Sequence, residues 1–181
     1  MKILISTIEY LKPPRGVVFD ALERSYYRFL QAHELVPVPN VIKVPDIDYD
    51  CLILTGGPDS VSRNQTENLL YKDAITKNKP VIGICHGAFA INDINKGING
   101  FLDGHVDADI EITLEGEEHV VRCFHSMSIK QLAKDFVPTA YDKQGNIEAF
   151  KHTSSPIHGI LWHPERMDEP VLPSEVKKLL D

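Results

Sequence analysis

Apolar and polar positions along the first half of the chain alternate between short strand-like runs and longer stretches with helical spacing. "KILIST" opens the chain as a β-type run. "GVVFDALERSYYRFLQAHE" places Val18, Ala21, Leu22, Tyr26, Phe29 and Leu30 at spacings of three and four, which predicts a helix over residues 16–34. "LVPVP" reads as an edge strand, because proline cannot donate to a central ladder. "YDCLILTGG" is a strand ending in two glycines, and "TENLLYKDAITKNK" is a helix with Thr66 as its N-cap. "PVIGIC" is a buried strand that runs into a helix opening at "GAFAINDIN". This strand–helix alternation predicts a parallel sheet with helices on both faces.

The second half is richer in β-type runs. "DADIEITLEG" and "EHVVRCF" form a predicted hairpin, "SIKQLAKDF" a short helix, and "FVPTAYD" with "IEAFKH" a further strand pair. "IHGILWH" is the final strand, and "PSEVKKLL" a closing helix with Ser174 as N-cap and Glu175 at its positive end. No repeat or linker interrupts the chain, so a single domain over residues 1–181 is expected, with a small antiparallel element beside the parallel sheet.

Composition narrows the function classes. The 181 residues are 43% hydrophobic and 25% charged, enough for one sizeable core. The net charge of -7, with scattered Lys and Arg, gives no footprint for nucleic acid or an anionic membrane surface. "MKILISTIEY" is too short and polar for a signal peptide, and no apolar run approaches membrane-spanning length. Three cysteines, Cys51, Cys85 and Cys123, lie far apart with no CxxC pair. That pattern argues against a disulfide framework or a zinc site, and the expectation is a cytoplasmic protein without cofactor or metal.

"VIGICHGAF" carries the chemistry. A cysteine between two glycines, at a strand-to-helix junction, is the thiol version of a nucleophile elbow. Gly83 and Gly87 let strand and helix approach, and Cys85 takes a strained backbone that exposes its sulfur at the helix N-terminus, where thiolate is favoured. The N–H of His86 would face a developing oxyanion. An ordinary buried cysteine is the alternative. "GILWHPER" supplies partners: His163 and Glu165 are two apart in a segment expected to be extended, so both side chains project to one side. Glu165 would orient His163, and His163 would activate Cys85. A solvated corner is the alternative for those two residues.

"LILTGGPDS", "VIGICHGAF" and "PIHGILWHPE", in this order and spacing, resemble class I glutamine amidotransferases, and "NIEAFKHTSSPIHGILWHPE" is similar to that family's closing pattern. The resemblance implies a flavodoxin-like α/β fold and a triad of Cys85, His163 and Glu165. It further implies Gly57 as the second oxyanion amide beside His86, with Gly56 next to it at the substrate. "FHSM" places His125, Ser126 and Met127 at the substrate, and Phe89 stands where the family usually has Gln or Glu. The N-terminal half, through "DALERSYYRFLQAHELVPVPN" and "RNQTENLLYKDAI", resembles the γ-glutamyl hydrolase-like branch. The implied activity is cleavage of a γ-glutamyl amide through a cysteine thioester. The substrate would be glutamine, with ammonia passed to a partner synthase or ligase subunit. The alternative substrate is a γ-glutamyl conjugate, cleaved by a stand-alone hydrolase. "CHG" is typical instead of PfpI-like peptidases and deglycases, in which the adjacent histidine joins the triad, and a non-catalytic binding module is the remaining reading.

Several residues are assigned no chemistry. Cys51 and Cys123 are expected in the core, and Tyr26 and Tyr27 as one core and one surface ring. Trp162 is expected to pack against a helix, facing away from the triad. His105, in "DGHVDAD", lies near acidic residues but lacks a second ligand at hairpin or helical spacing, so a solvent-exposed loop histidine is expected.

Overall fold

The computed structural model describes residues 1–14 and 16–181. Four short apolar strands, β1 (Lys2–Ser6), β4 (Glu34–Val38), β5 (Cys51–Leu54) and β6 (Val81–Ile84), join β13 (Ile157–Ile160) in the parallel order β4-β1-β5-β6-β13. Their alternation feeds two cores. Ile3, Ile5, Ile53 and Ile84 pack on one face with Tyr26 of α1 (Arg24–Phe29) and Val176 of α4 (Ser174–Leu180). Leu4, Leu52, Leu54 and Val81 pack on the other with Leu70 of α2 (Val61–Thr76) and Ala88 of α3 (His86–Ile94). Strands covered on both faces must be apolar throughout, which is why these runs read as continuous rather than alternating. The flavodoxin-like arrangement with helices on both faces is the one expected.

The sheet does not stop at β13. Among the described residues it continues antiparallel through β12 (Ile147–His152), β11 (Phe136–Asp142), β8 (Val106–Leu114) and β9 (Glu117–Phe124). Two separate two-stranded sheets complete it, β7 (Ile98–Phe101) with β10 (Met127–Gln131) and β2 (Ile8–Lys12) with β3 (Val17–Ala21).

Four local expectations are corrected. The predicted helix over 16–34 is a strand followed by a short helix. Val18 and Phe19 pair with Leu11 and Tyr10, and only Arg24–Phe29 is helical. Val17, Val18 and Phe19 are β-formers with a partner strand one turn away, and they stay exposed. Leu22, Tyr26, Phe29 and Leu30 are the positions that pack inward. "SIKQLAKDF" is not a helix, because β10 takes its ladder from β7. Helix α2 starts five residues before Thr66, with Ser60 Oγ accepting from the Arg63 N–H (3.2 Å); Thr66 is buried, and its hydroxyl accepts from the Ile42 N–H (3.0 Å). Pro173, not Ser174, occupies the N-cap of α4, and the Glu115 carboxylate accepts from the Ser174 N–H (3.2 Å) in place of a local cap.

Topology decides where the chemistry lies. β6 and β13 are adjacent and parallel, with Ile84 opposite Ile160, so the residues following each strand emerge side by side at the same sheet end. The Cys85 N–H donates to Ile160 O at 2.7 Å, locking the two ends together.

Candidate active site

Cys85 sits between β6 and α3 with φ 49° and ψ -106°, a strained conformation for a residue with a side chain. The glycines on either side are there for space. A Cβ on Gly87 would lie 2.1 Å from Leu54 O, and one on Gly83 would lie 2.6 Å from the Gly87 backbone. The elbow expected from "GICHG" is therefore present as geometry. The Cys85 sulfur sits at the start of α3, where first-turn N–H groups have no intrahelical acceptor.

His163 Nδ1 lies 2.6 Å from Glu165 Oε1, and both side chains are buried. Burial works against the charged imidazole. Hydrogen bonds to the Cys85 sulfur and to Glu165 overcome that penalty and raise the His163 pKa to about 9. His163 in the folded protein is thus an imidazolium at neutral pH, held between the Cys85 sulfur and the Glu165 carboxyl group. The segment is not extended as expected. Pro164–Arg166 forms a 3₁₀ turn, and that turn brings Glu165 back onto His163. Phe124 packs edge-on to the His163 ring (centroids 5.4 Å), and the Arg166 guanidinium lies over Phe124 (4.5 Å) while pairing with Glu23 (2.7 Å). The histidine has little freedom to turn.

The Gly-Gly turn after β5 closes over this pair. A Cβ on Gly56 would fall 2.4 Å from His163 Cε1, so this position admits no side chain. Two residues to which the sequence gives no chemical role hold the turn. Tyr26, the buried ring of the tyrosine pair, accepts the Gly56 N–H at 3.0 Å, while Tyr27 is exposed as expected. Arg63, fully buried in α2, donates to Pro58 O (2.7 Å), Thr55 O (2.5 Å) and Gly56 O (3.4 Å). Because a trans peptide points its C=O and N–H in opposite directions, a Gly56 carbonyl turned to Arg63 leaves the Gly57 N–H facing away from it. The i,i+4 spacing of Arg63 and Glu67 was a visible signal, but such pairs usually sit on solvated helix faces.

Glu67 completes that buried network. Its Oε1 accepts from Arg63 Nε (2.9 Å) and Ser6 Oγ (2.7 Å), and its Oε2 faces His86 Nε2 (3.2 Å). Burial alone would raise the Glu67 pKa, but His86 and Arg63 hold it below the usual carboxylate range. The His86 ring is therefore engaged by Glu67, while His163 is engaged by Glu165.

A cleft of about 810 Å³ opens in front of Cys85, and Gly57, His86, Phe89, His125, Ser126 and Met127 all line it. Gly56 is buried behind the rim. Phe89 follows Cys85 by one helical turn and meets the His125 ring edge-on (centroids 5.9 Å). The cleft extends past these residues to Asn64, Lys72 and Lys96. Cys51 and Cys123 are buried, and burial pushes the Cys51 thiol up to about 12, so it is an inert core residue. Trp162 is buried with its indole N–H donating to Val171 O (3.0 Å), packed in the core with Val176 of α4.

His105 is the clear miss. It is buried, not a solvent-exposed loop residue, and its Nε2 lies 3.2 Å from Asp142 Oδ2 and 3.4 Å from Glu148 Oε1. Asp142 and Glu148 lie 37 and 43 positions further along the sequence, at spacings that no local motif would reveal.

A parallel sheet carrying a cysteine elbow beside a buried His–Glu pair defines a class of α/β proteins with a strained cysteine at a strand-to-helix junction. Residues 18–178 match the glutamine amidotransferase class-I family, and the chain belongs to that family. It is 31% identical over 124 residues to the γ-glutamyl-CDP-amidate hydrolase of Campylobacter jejuni subsp. jejuni, a match covering 64% of this chain and 62% of that protein. It is 30% identical over 143 residues to a subunit of the glutamine-hydrolyzing GMP synthase of Methanosarcina acetivorans, covering 71% and 72%. The chain thus matches between three-fifths and three-quarters of the length of these relatives. The fold is shared with a glutamine amidotransferase from Thermotoga maritima (TM-score 0.70, 13% identity, 91% of this chain and 76% of that one). It is also shared with the PurLQS structure from the same organism (TM-score 0.71, 18% identity, 98% and 94%). Among the described residues no helix is long and apolar enough to cross a membrane.

Proposed function

We propose that this chain hydrolyses a γ-glutamyl amide bond through a thioester on Cys85. The observation that carries the reading is the elbow cysteine beside His163, the two flanking the same point over Gly56 at 3.3 Å and 2.4 Å, with Glu165 holding His163 at 2.6 Å at the head of an open cleft. The Cys85 thiolate attacks the γ-carbonyl carbon, and the carbonyl oxygen takes up the negative charge. The N–H groups of His86 and Gly57 stabilise that oxyanion. The C–N bond breaks as the His163 imidazolium delivers its proton to the departing amine. Neutral His163 then removes a proton from water, which attacks the thioester and releases glutamate. Glu165 acts throughout by keeping Nδ1 protonated and the ring in place.

The leaving group is larger than ammonia in this reading. A cleft of about 810 Å³ lies in the range that encloses drug-sized ligands, well beyond the needs of one amino acid. Its lining carries Lys72 and Lys96, which could meet a phosphate-bearing amine, together with Asp59 and Asp93, so phosphate would be met by the lysines at one part of the cleft and not by the lining as a whole. The Campylobacter jejuni relative is named for an amidate of that kind, a γ-glutamyl group on CDP. Phe89 and His125 form the wall past which such a group would extend.

One observation favours a second reading, glutamine hydrolysis with ammonia passed to a partner protein. The β2–β3 hairpin exposes Tyr10, Leu11, Val18 and Phe19, an apolar patch of the sort that marks protein contacts. Ile8 of the same hairpin adjoins Gly57 at the cleft mouth. A partner seated on the hairpin would sit at the oxyanion turn.

The deciding assay is glutamate release from glutamine and from a panel of γ-glutamyl amides with neutral and phosphorylated amines, comparing the native chain with Cys85→Ala. Release from phosphorylated conjugates, lost at least about 10⁴-fold in Cys85→Ala, is expected. Turnover of glutamine alone would favour the second reading. Turnover retained in Cys85→Ala would overturn the thioester.

A further inference from the structure

The antiparallel half of the sheet contains a polar cluster that the hydrolytic reading does not use. His105, ahead of β8, Asp142 at the end of β11 and Glu148 in β12 converge in the interior, all buried. Asp142 and Glu148 are carboxylates with no exposed side-chain surface, and among the described residues neither has a Lys or Arg within ion-pair distance. Among the described residues the only candidate cations are histidines, His125 beside Glu148 and His105 beside both, and a buried carboxylate left without one costs several kcal/mol.

Histidine protons do not resolve the cluster. His105 Nε2 stands 3.2 Å from Asp142 Oδ2 and 3.4 Å from Glu148 Oε1, but a proton on it points at neither. Both ring nitrogens of His105 and Glu148 Oε1 lack a hydrogen-bond partner although buried. Polar atoms in that condition are rare and call for an explanation, a bound ion being one. The spacing identifies one. Ligands held tetrahedrally at about 2.0–2.2 Å from a zinc ion are about 3.3–3.5 Å from each other. The His105–Asp142 and His105–Glu148 separations have that size, and the three ligand atoms lie within 4.8 Å of one another.

The outer contacts are also those of a metal site. Asp142 Oδ1 accepts from the backbone N–H groups of Gln144 (2.9 Å) and Asn146 (2.7 Å), and its Oδ2 accepts from Asn146 Nδ2 (2.7 Å), so the carboxylate is aimed before any ion arrives. Glu148 Oε2 faces His125 Nε2 (3.3 Å), and His125 Nδ1 lies 2.7 Å from Met127 O, which can only accept; both contacts are hydrogen bonds when the ring carries two protons. Cys123 Sγ lies 3.9 Å from the same Glu148 oxygen, leaving a thiol within reach of a shifted ion.

We propose that His105, Asp142 and Glu148 bind a divalent transition-metal ion, zinc being the fitting case, as a structural site behind the substrate cleft. Imidazole with carboxylate oxygen suits zinc, and the burial leaves no route for it to act on substrate. The ion would tie the lead-in to β8, the end of β11 and β12 together, and through Glu148 it would fix His125, whose other face lines the cleft.

The test uses the full chain carrying Cys85→Ser, which removes the competing thiolate at the elbow. After loading with Zn²⁺ and removal of loose metal by gel filtration, one equivalent should remain by elemental analysis. X-ray absorption should show a shell of nitrogen and oxygen including imidazole, with at most one sulfur. In His105→Ala, checked for folding by Trp162 fluorescence, affinity should fall at least tenfold. A folded Cys85→Ser chain that retains no Zn²⁺ would overturn the proposal. So would a shell made of sulfur, or retention undiminished in folded His105→Ala. Should His105→Ala not fold, the stoichiometry and the absorption spectrum of Cys85→Ser decide alone.

Discussion

Glu67 and Glu148 are both completely buried carboxylates within reach of a cleft-lining histidine, yet they are built differently. Glu67, under the parallel half, is closed by Arg63, a permanent cation, and by the Ser6 hydroxyl, and the same arginine continues to the Gly-Gly turn. Glu148, in the antiparallel half, meets only histidines, a thiol and a second carboxylate nearby. The lesson is that burial alone does not say how a charge is satisfied. A network completed by arginine is self-sufficient at every pH the protein meets, while one completed by histidines depends on protons or a metal.

Four measurements would break or sharpen that contrast. The largest effect is expected from Arg63→Met, which leaves Glu67 with His86 as its only cationic partner and the Gly-Gly turn without its donor, and should cost about 3–5 kcal/mol in urea unfolding. It should also lower turnover, because the Gly56 carbonyl loses its anchor.

The second measurement concerns His163, whose charge lies in the parallel half but, being a histidine's, depends on pH. Its folded pKa of about 9 exceeds the unfolded value near 6.5, so its contribution to stability is complete below pH 6.5 and disappears as pH rises through about 9. Melting temperature should fall across that window, and the fall should be smaller in Glu165→Gln. The rate of amide cleavage should decline above about pH 9, where the proton for the leaving amine is gone, and decline less for substrates whose leaving group needs no proton. A rate profile that stays flat well above the His163 pKa would remove His163 from the acid's role.

Third comes Tyr26→Phe, which leaves the Gly56 N–H without its acceptor. About 1–3 kcal/mol is the usual cost of such a buried donor. A rise in KM without loss of stability would instead mean that water takes the place of the hydroxyl.

The smallest effect is expected from Glu148→Gln in metal-free protein, neutral to slightly stabilising, because it removes one of two buried carboxylates that lack a permanent cation. A loss as large as that of Arg63→Met would erase the difference between the two networks. In Zn²⁺-loaded protein the same substitution should lower the melting temperature relative to the unsubstituted chain.

Much of the parallel half was legible from the chain itself. β1, β5 and β6 are continuous apolar runs, because strands covered on both faces have no solvent side to record. The elbow was legible for a related reason. A Cβ at Gly83 or Gly87 would fall 2.6 or 2.1 Å from neighbouring backbone, so the close approach of strand and helix is written as glycine. The β2–β3 hairpin was not legible, since Val18 and Phe19 also fit a helical spacing and nothing local reports that Leu11 and Tyr10 lie across from them. "SIKQL" was misread for the same reason, its partner strand lying about 30 residues earlier.

By itself, then, the sequence determined what local sterics and periodicity impose: the apolar strands, the glycine-flanked Cys85, and the His163–Pro164–Glu165 string that a short 3₁₀ turn closes into a pair. Tertiary structure alone decided which distant groups meet. It set β6 beside β13 so that Cys85 reaches His163, sent Arg63 under the Gly-Gly turn, and gathered His105, Asp142 and Glu148 from three segments into one buried cluster. The physical reason is the range of the forces involved. Steric exclusion and backbone preference act within a few residues and leave their mark as residue type, whereas charge pairing acts through space and leaves no spacing along the chain to read.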